Sequence, residues 1–105
     1  MIARQWHGRV RRAQGDAYFG YLERTGLADF GATPGNRGFL VFRHDDDDAT
    51  HYTITSFWDS YEAVKRFAGE DYERAHYYPE DDDFLLEREP LVRHFEVLAA
   101  SLRPD

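Results

Sequence analysis

Four consecutive aspartates, Asp45–Asp48, separate two runs of very different character: RGFLVFRH over 37–44 and HYTITSFW over 51–58. Both runs concentrate the β-branched and aromatic residues that suit a pleated surface, and a row of like charges favours a solvated bend between them. The pattern predicts a β-hairpin in the middle of the chain. Bulky residues occur on both parities, Leu40 and Phe42 against Phe39 and Val41, so both faces of the sheet are expected to be covered.

The rest of the chain is read outward from this hairpin. Residues 2–11 carry Ile2, Trp6 and Val10 among Arg and Gln and suit a strand, with Gly8 as a point for a bulge. Tyr18, Tyr21, Leu22 and Thr25 recur at helical spacing within 13–25, and Gly26 is placed to end that helix in a left-handed cap. LADFGATPGNRG, 27–38, reads as a loop. After the hairpin, Asp59 with Glu62 three residues on resembles a capping box opening a second helix, whose Tyr61, Val64, Ala68, Tyr72 and Ala75 share a face. Gly69 is a weak point or a break in it, and Pro79 its far limit. An acidic loop at Glu80–Asp83 and a short FLLE segment lead to a last strand over 92–99. The order βαββαβ predicts one α+β domain over 1–105: a ferredoxin-like four-stranded antiparallel sheet with both helices on one face. The open sheet face then needs a cover, and the simplest is a second copy, giving a homodimer of packed sheets, a dimeric α/β barrel.

Composition narrows the partners. Thirteen Lys and Arg against twenty Asp and Glu give a formal charge of -7, which repels phosphate backbones and anionic membrane surfaces. Neither nucleic acid nor a membrane is an expected partner. The chain has no cysteine, which excludes thiolate nucleophiles and Cys-ligated metal and fits a reducing compartment. The opening MIARQWHGRV has charges inside its apolar pattern, unlike a signal segment, and a cytoplasmic location is expected.

Five stretches, MIARQWHGRV, PGNRG, SFWDSYEAVKRFAG, AHYYPEDDDFLL and VRHFEV, resemble the antibiotic biosynthesis monooxygenase-like proteins of the dimeric α/β barrel superfamily, over roughly 2–99. The resemblance implies oxidation of polycyclic phenols or anthrones by molecular oxygen, with no bound flavin or metal, in a pocket between helices and sheet. A side chain ionises the substrate, and the resulting anion is itself the reductant of oxygen. Aromatic walls and a histidine or tyrosine able to exchange a proton are the requirements. The superfamily also contains haem-degrading oxygenases, with a histidine near the end of helix two, an asparagine on strand one and a tryptophan on helix two. Here strand one offers Gln5, Trp6 and His7 and helix two offers Phe67, so haem ranks below oxygenation without a cofactor. A noncatalytic small-molecule-binding domain is the third reading.

His76 and His94 are the candidate proton carriers, with Trp58, Phe67, Tyr72, Tyr77 and Trp6 as walls for a small aromatic compound. His76 follows Tyr72 by four, so on a helix both share the face of Ala68 and Val64; a helix end equally suits a cation set against the dipole. Tyr77 and Tyr78 cannot share a helical face, so at most one is expected in the cavity. Trp58 either closes one end of the cavity or packs as plain core. His94, among Phe95, Val97 and Leu98, is either a proton carrier or a satisfied structural residue. Trp6 and His7 point to opposite sides of strand one, and which faces the helices stays open. His44 and His51 flank the aspartate turn with metal-like spacing, but at an exposed tip a solvated turn is expected and no metal site.

Overall fold

A computed structural model describes residues 1–103, so the last two residues of the expected domain lie outside the description. The hairpin forms as its pattern requires. Strands β2 (Asn36–Asp45) and β3 (Ala49–Trp58) pair antiparallel, with His44 opposite His51. The turn is more than a solvated bend: Asp46 Oδ1 accepts the amides of Asp48 and Ala49 at 2.8 and 2.7 Å, a side-chain mimic of a backbone turn.

β1 (Ile2–Arg11) pairs along the whole of β3 and, at its other edge, with β4 (Arg93–Glu96). The sheet order is β2-β3-β1-β4, the ferredoxin-like arrangement, with β1 and β3 in its interior. Period-two alternation then sorts the side chains. Thr50, Tyr52, Ile54, Ser56 and Trp58 of β3 are buried on one face, under helices α1 (Gly15–Arg24), α2 (Gly26–Ala32) and α3 (Tyr61–Ala68). The opposite face carries Leu40, Phe42 and Phe95, and Phe42 is 52% and Phe95 46% exposed. No helix among the described residues is long and apolar enough to cross a membrane.

Three local expectations are corrected. The stretch over 27–38 is not all loop: it begins with α2, because Leu27 and Phe30, three apart, bury one face. Gly26 is accordingly the first residue of that helix rather than a left-handed cap, and the break falls at Thr25 (φ -117°, ψ -98°), whose hydroxyl donates to Tyr21 O at 2.8 Å. The cap of α3 is Ser60, not Asp59: its Oγ accepts from Ala63 N at 3.2 Å, while Asp59 pairs at the surface with Arg37. A Ser60 cap puts Ala63 where a capping box needs an acid.

The third correction shapes the site. α3 stops at Ala68, followed by Gly69 at φ 87°, and residues 70–78 do not resume the helix. They cross the end of the sheet in irregular form and are laced to the chain before β4: Ala75 N donates to Pro90 O and Val92 N to Glu73 O, both at 2.9 Å. Tyr72 and His76 are therefore not helical neighbours. β4 itself spans only four of the residues expected over 92–99.

The cap correction has a direct test. Ser60→Ala should lower unfolding free energy in urea by about 1 kcal/mol, whereas Asp59→Ala should cost about 0.5 kcal/mol or less. The reverse order would return the cap to Asp59.

Candidate functional site

Arg4 sits on the inward parity of β1, two residues before Trp6 and six before Val10, and is only 4% exposed. A long cation in that position must find acceptors inside the protein. It finds the carbonyl of Tyr72, the carbonyl of Arg74 at 3.0 Å and His94 Nε2 at 3.1 Å. One side chain of a central strand thus ties down the irregular 70–78 segment. Burial lowers the Arg4 pKa to about 10, which leaves it charged at neutral pH.

The segment held this way becomes one wall of a cleft between helices and sheet. Counted to its open mouth, the cleft has about 520 Å³ of empty space, and Arg4, Trp6, Phe30, Phe67, His76 and Tyr77 are among its lining residues. Its enclosed part is only about 50 Å³, well short of the several hundred Å³ usual for a small-molecule site, so a ring-sized ligand would reach into the open mouth. Trp6, not His7, faces the helices. Its Nε1–H donates to Tyr77 Oη at 3.3 Å, and that hydroxyl donates to Glu89 O at 2.6 Å, so the two rings are fixed edge to face with centroids 6.3 Å apart. Gly8 makes room for this: a Cβ there would lie 2.4 Å from Trp6 Cη2.

His76 lies at the mouth, exposed to solvent. Its ring packs 5.3 Å from Phe67 and 5.0 Å, edge to face, from Tyr78. Among the described residues it makes no hydrogen bond, so both ring nitrogens are free to meet a ligand. Tyr77 and Tyr78 both line the cleft, contrary to the helical expectation of one at most.

Three expected site residues lie elsewhere. Trp58 is fully buried with its indole N–H donated to Ser56 Oγ at 2.9 Å, and Tyr72 packs 5.2 Å from His94 behind Arg4. His94 itself backs the guanidinium rather than the cleft. A guanidinium has no acceptor, so Nε2 of His94 must be the acceptor and its proton sits on Nδ1. Burial, and then the Arg4 charge, hold its pKa down at about 4. The ring is neutral at pH 7 with its basic lone pair already engaged.

The sequence reading missed Arg4 and Asp81. Arg4 was detectable from its shared parity with Trp6 and Val10. Asp81 lies within the expected acidic loop, yet is 3% exposed and accepts from Tyr78 N at 2.6 Å and Tyr18 Oη at 3.3 Å. Burial raises its pKa, and burial raises those of Tyr18, Tyr77 and Tyr78 as well. Nothing in a run of four acids signals which one turns inward.

On the open sheet face His44, His51 and His7 stack in a row, at 4.9 and 5.1 Å between centroids. His51 also meets Asp46 at 2.6 Å, and Glu89 contacts His7. No group of three or more side chains among the described residues is arranged to hold a metal ion.

The comparisons with known proteins bear on family and fold. Residues 10–77 match the family model described as antibiotic biosynthesis monooxygenase, well over half of the chain. The chain belongs to the antibiotic biosynthesis monooxygenase family. The match takes in Phe67, His76 and Tyr77 but stops short of Arg4, Trp6 and Asp81. Similar solved structures include family-named proteins from Nitrosomonas europaea (17% identity, 94% of this chain and 100% of that one, TM-score 0.62) and Bacillus cereus (15%, 98% of each, 0.65). The haem-degrader MhuD of Mycobacterium tuberculosis, solved with two haems in its active site, is also similar (16%, 96% and 99%, 0.63). At these identities the likeness is one of fold. No curated protein matches the sequence.

The half-buried His94 of this family member carries a pH prediction. A folded-state pKa of about 4 against an ordinary value of 6.5 means that the unfolded chain binds the proton first. Stability from His94 is complete above pH 6.5 and is lost as the pH falls toward 4. Asp81, with its raised pKa, acts in the opposite sense, so the comparison with His94→Gln isolates the histidine. Thermal unfolding should show a steeper fall over that window in the wild type than in His94→Gln; parallel curves would contradict the assignment.

Proposed function

We propose that the cleft binds a small hydrophobic aromatic compound and oxidises it with molecular oxygen, without a cofactor. The observation that carries this reading is His76 at the mouth of an aromatic-walled cleft with both ring nitrogens uncommitted. In this scheme His76 takes the acidic proton of a phenol or anthrone. The substrate anion gives one electron to oxygen, the radical pair combines to a peroxide anion that takes the proton back from His76 to give a hydroperoxide, and loss of water leaves the quinone. Phe67, Tyr77 and Trp6 confine the pair. His94 is reassigned from proton carrier to positioning residue for Arg4, and Trp58 and Tyr72 from walls to supports behind it.

The lining does not fit a haem. His76 is a suitable iron ligand, but the two propionates would face one lining cation, Arg4, and a buried acid, Asp81. A noncatalytic binder would use the same walls and differ only in lacking turnover.

For the assembly we propose a cytoplasmic homodimer that covers Phe42, Phe95 and Leu40 on the open face of the sheet. Isolated four-stranded sheets gain from such a cover in a chain of this size.

Oxygen uptake measured with a panel of anthrones and naphthols should exceed background in the wild type and fall about 100-fold or more in His76→Ala. Background uptake by both proteins rules the oxygenase out. Hemin titration should give no Soret shift that depends on His76. Sedimentation should report a dimer, and Phe42→Glu should shift it toward monomer; a monomeric wild type removes the covered-sheet proposal.

A further inference from the structure

Among the described residues Arg4 is a buried cation without an acidic partner. Its three protein contacts, the carbonyls of Tyr72 and Arg74 and the neutral ring of His94, carry no formal charge. Burying a guanidinium among neutral groups is costly, and the usual remedy is a carboxylate at hydrogen-bond distance. The other ionisable acid of the cleft, Asp81, is turned toward the Tyr78 amide and the Tyr18 hydroxyl instead.

The donor count shows where a partner would bind. Nη1 spends both of its hydrogens on Tyr72 O and His94 Nε2, and Nη2 spends one on Arg74 O. Nε–H and the second hydrogen of Nη2 remain. Nε is not sealed off, because the single buried side-chain polar atom without a partner among the described residues is Oε1 of Gln14. Arg4 lines the cleft and its guanidinium carbon lies 5.9 Å from the ring of Phe67, another lining residue, so the spare donors are within reach of a ligand there. Ile54 and Val92 are among the apolar residues lining the same cleft. In such surroundings a charge-assisted hydrogen bond is stronger than in water.

We propose that Arg4 is the specificity-determining residue of the cleft and that its ligand is an aromatic carboxylate, the acid group on Arg4 and the ring between Trp6 and Phe67. Two spare donors match the two oxygens of a carboxylate, the pairing for which a guanidinium is suited in a way an ammonium is not. His94 holds the guanidinium in place and, being neutral, does not compete for the anion. This deepens the reading of the same cleft as a site for aromatic compounds and rests on it.

The test is anaerobic binding of 2-naphthoate and its neutral counterpart 2-naphthalenemethanol at pH 7, by calorimetry, to the wild type, Arg4→Lys and Arg4→Gln. Wild type should bind the acid at least about tenfold more tightly than the alcohol. Arg4→Gln, whose wall is looser, should bind both probes more weakly but within about twofold of each other, and Arg4→Lys should retain part of the preference. Equal binding of both probes by the wild type overturns the proposal, and so does a preference that survives in Arg4→Gln. Should Arg4→Gln not fold, the wild type and Arg4→Lys still decide it, since a lysine that keeps the whole preference contradicts a role for the guanidinium fork. Without oxygen present, turnover does not enter: failure to oxidise anthrones leaves this result standing, whereas failure to bind either probe overturns the ligand-site reading along with it.

Discussion

The guanidinium of Arg4 is the point at which the sheet, the irregular 70–78 segment and β4 are joined. Without it the carbonyls of Tyr72 and Arg74 would have no acceptor role inside the protein, and the segment bearing His76, Tyr77 and Tyr78 would keep only the Trp6–Tyr77 hydrogen bond as a side-chain tie to a central strand. The ladder of Ala75 with Pro90 and Val92 with Glu73 holds that segment only to another connecting stretch. Placing a charge there costs solvation, offset in part by three hydrogen bonds, and the remainder is what makes the cleft receptive to an anion. One interaction therefore does two jobs: it closes a wall and leaves a polar handle inside it.

The two faces of the sheet separate two kinds of chemistry. Inward residues of β1 and β3 are aromatic or hydrogen-bonded in place, from Trp6 held by Tyr77 to Trp58 held by Ser56. Outward residues mix exposed phenylalanines with a row of stacked histidines. Membership of the antibiotic biosynthesis monooxygenase family accounts for the architecture, while the residues that give this cleft its charge, Arg4 and Asp81, lie outside the stretch that the family match covers.

Much of the fold was legible because it rests on period and punctuation. The β2–β3 hairpin and the extended form of β1 follow from alternation and an acidic turn. The errors arose where tertiary contacts override local pattern. Leu27 and Phe30 make a helix of a Gly-rich stretch because the core accepts them, and Ser60 takes the cap from Asp59, which Arg37 draws to the surface. Gly69 was noted as a possible break; that it ends the helix outright depends on Arg4 reaching carbonyls 68 and 70 residues away, which no local window contains. The same long reach explains why His94, a plausible base in isolation, proves to be the support of a cation.

Backbone hydrogen exchange of the full chain tests this dependence most directly. If Arg4 holds the wall of the cleft, the amides of Ala75 and Val92 should exchange about tenfold faster or more in Arg4→Gln than in the wild type, with the β1–β3 ladder unchanged. Unchanged protection at those two amides would mean that the wall stands without Arg4 and would contradict the account.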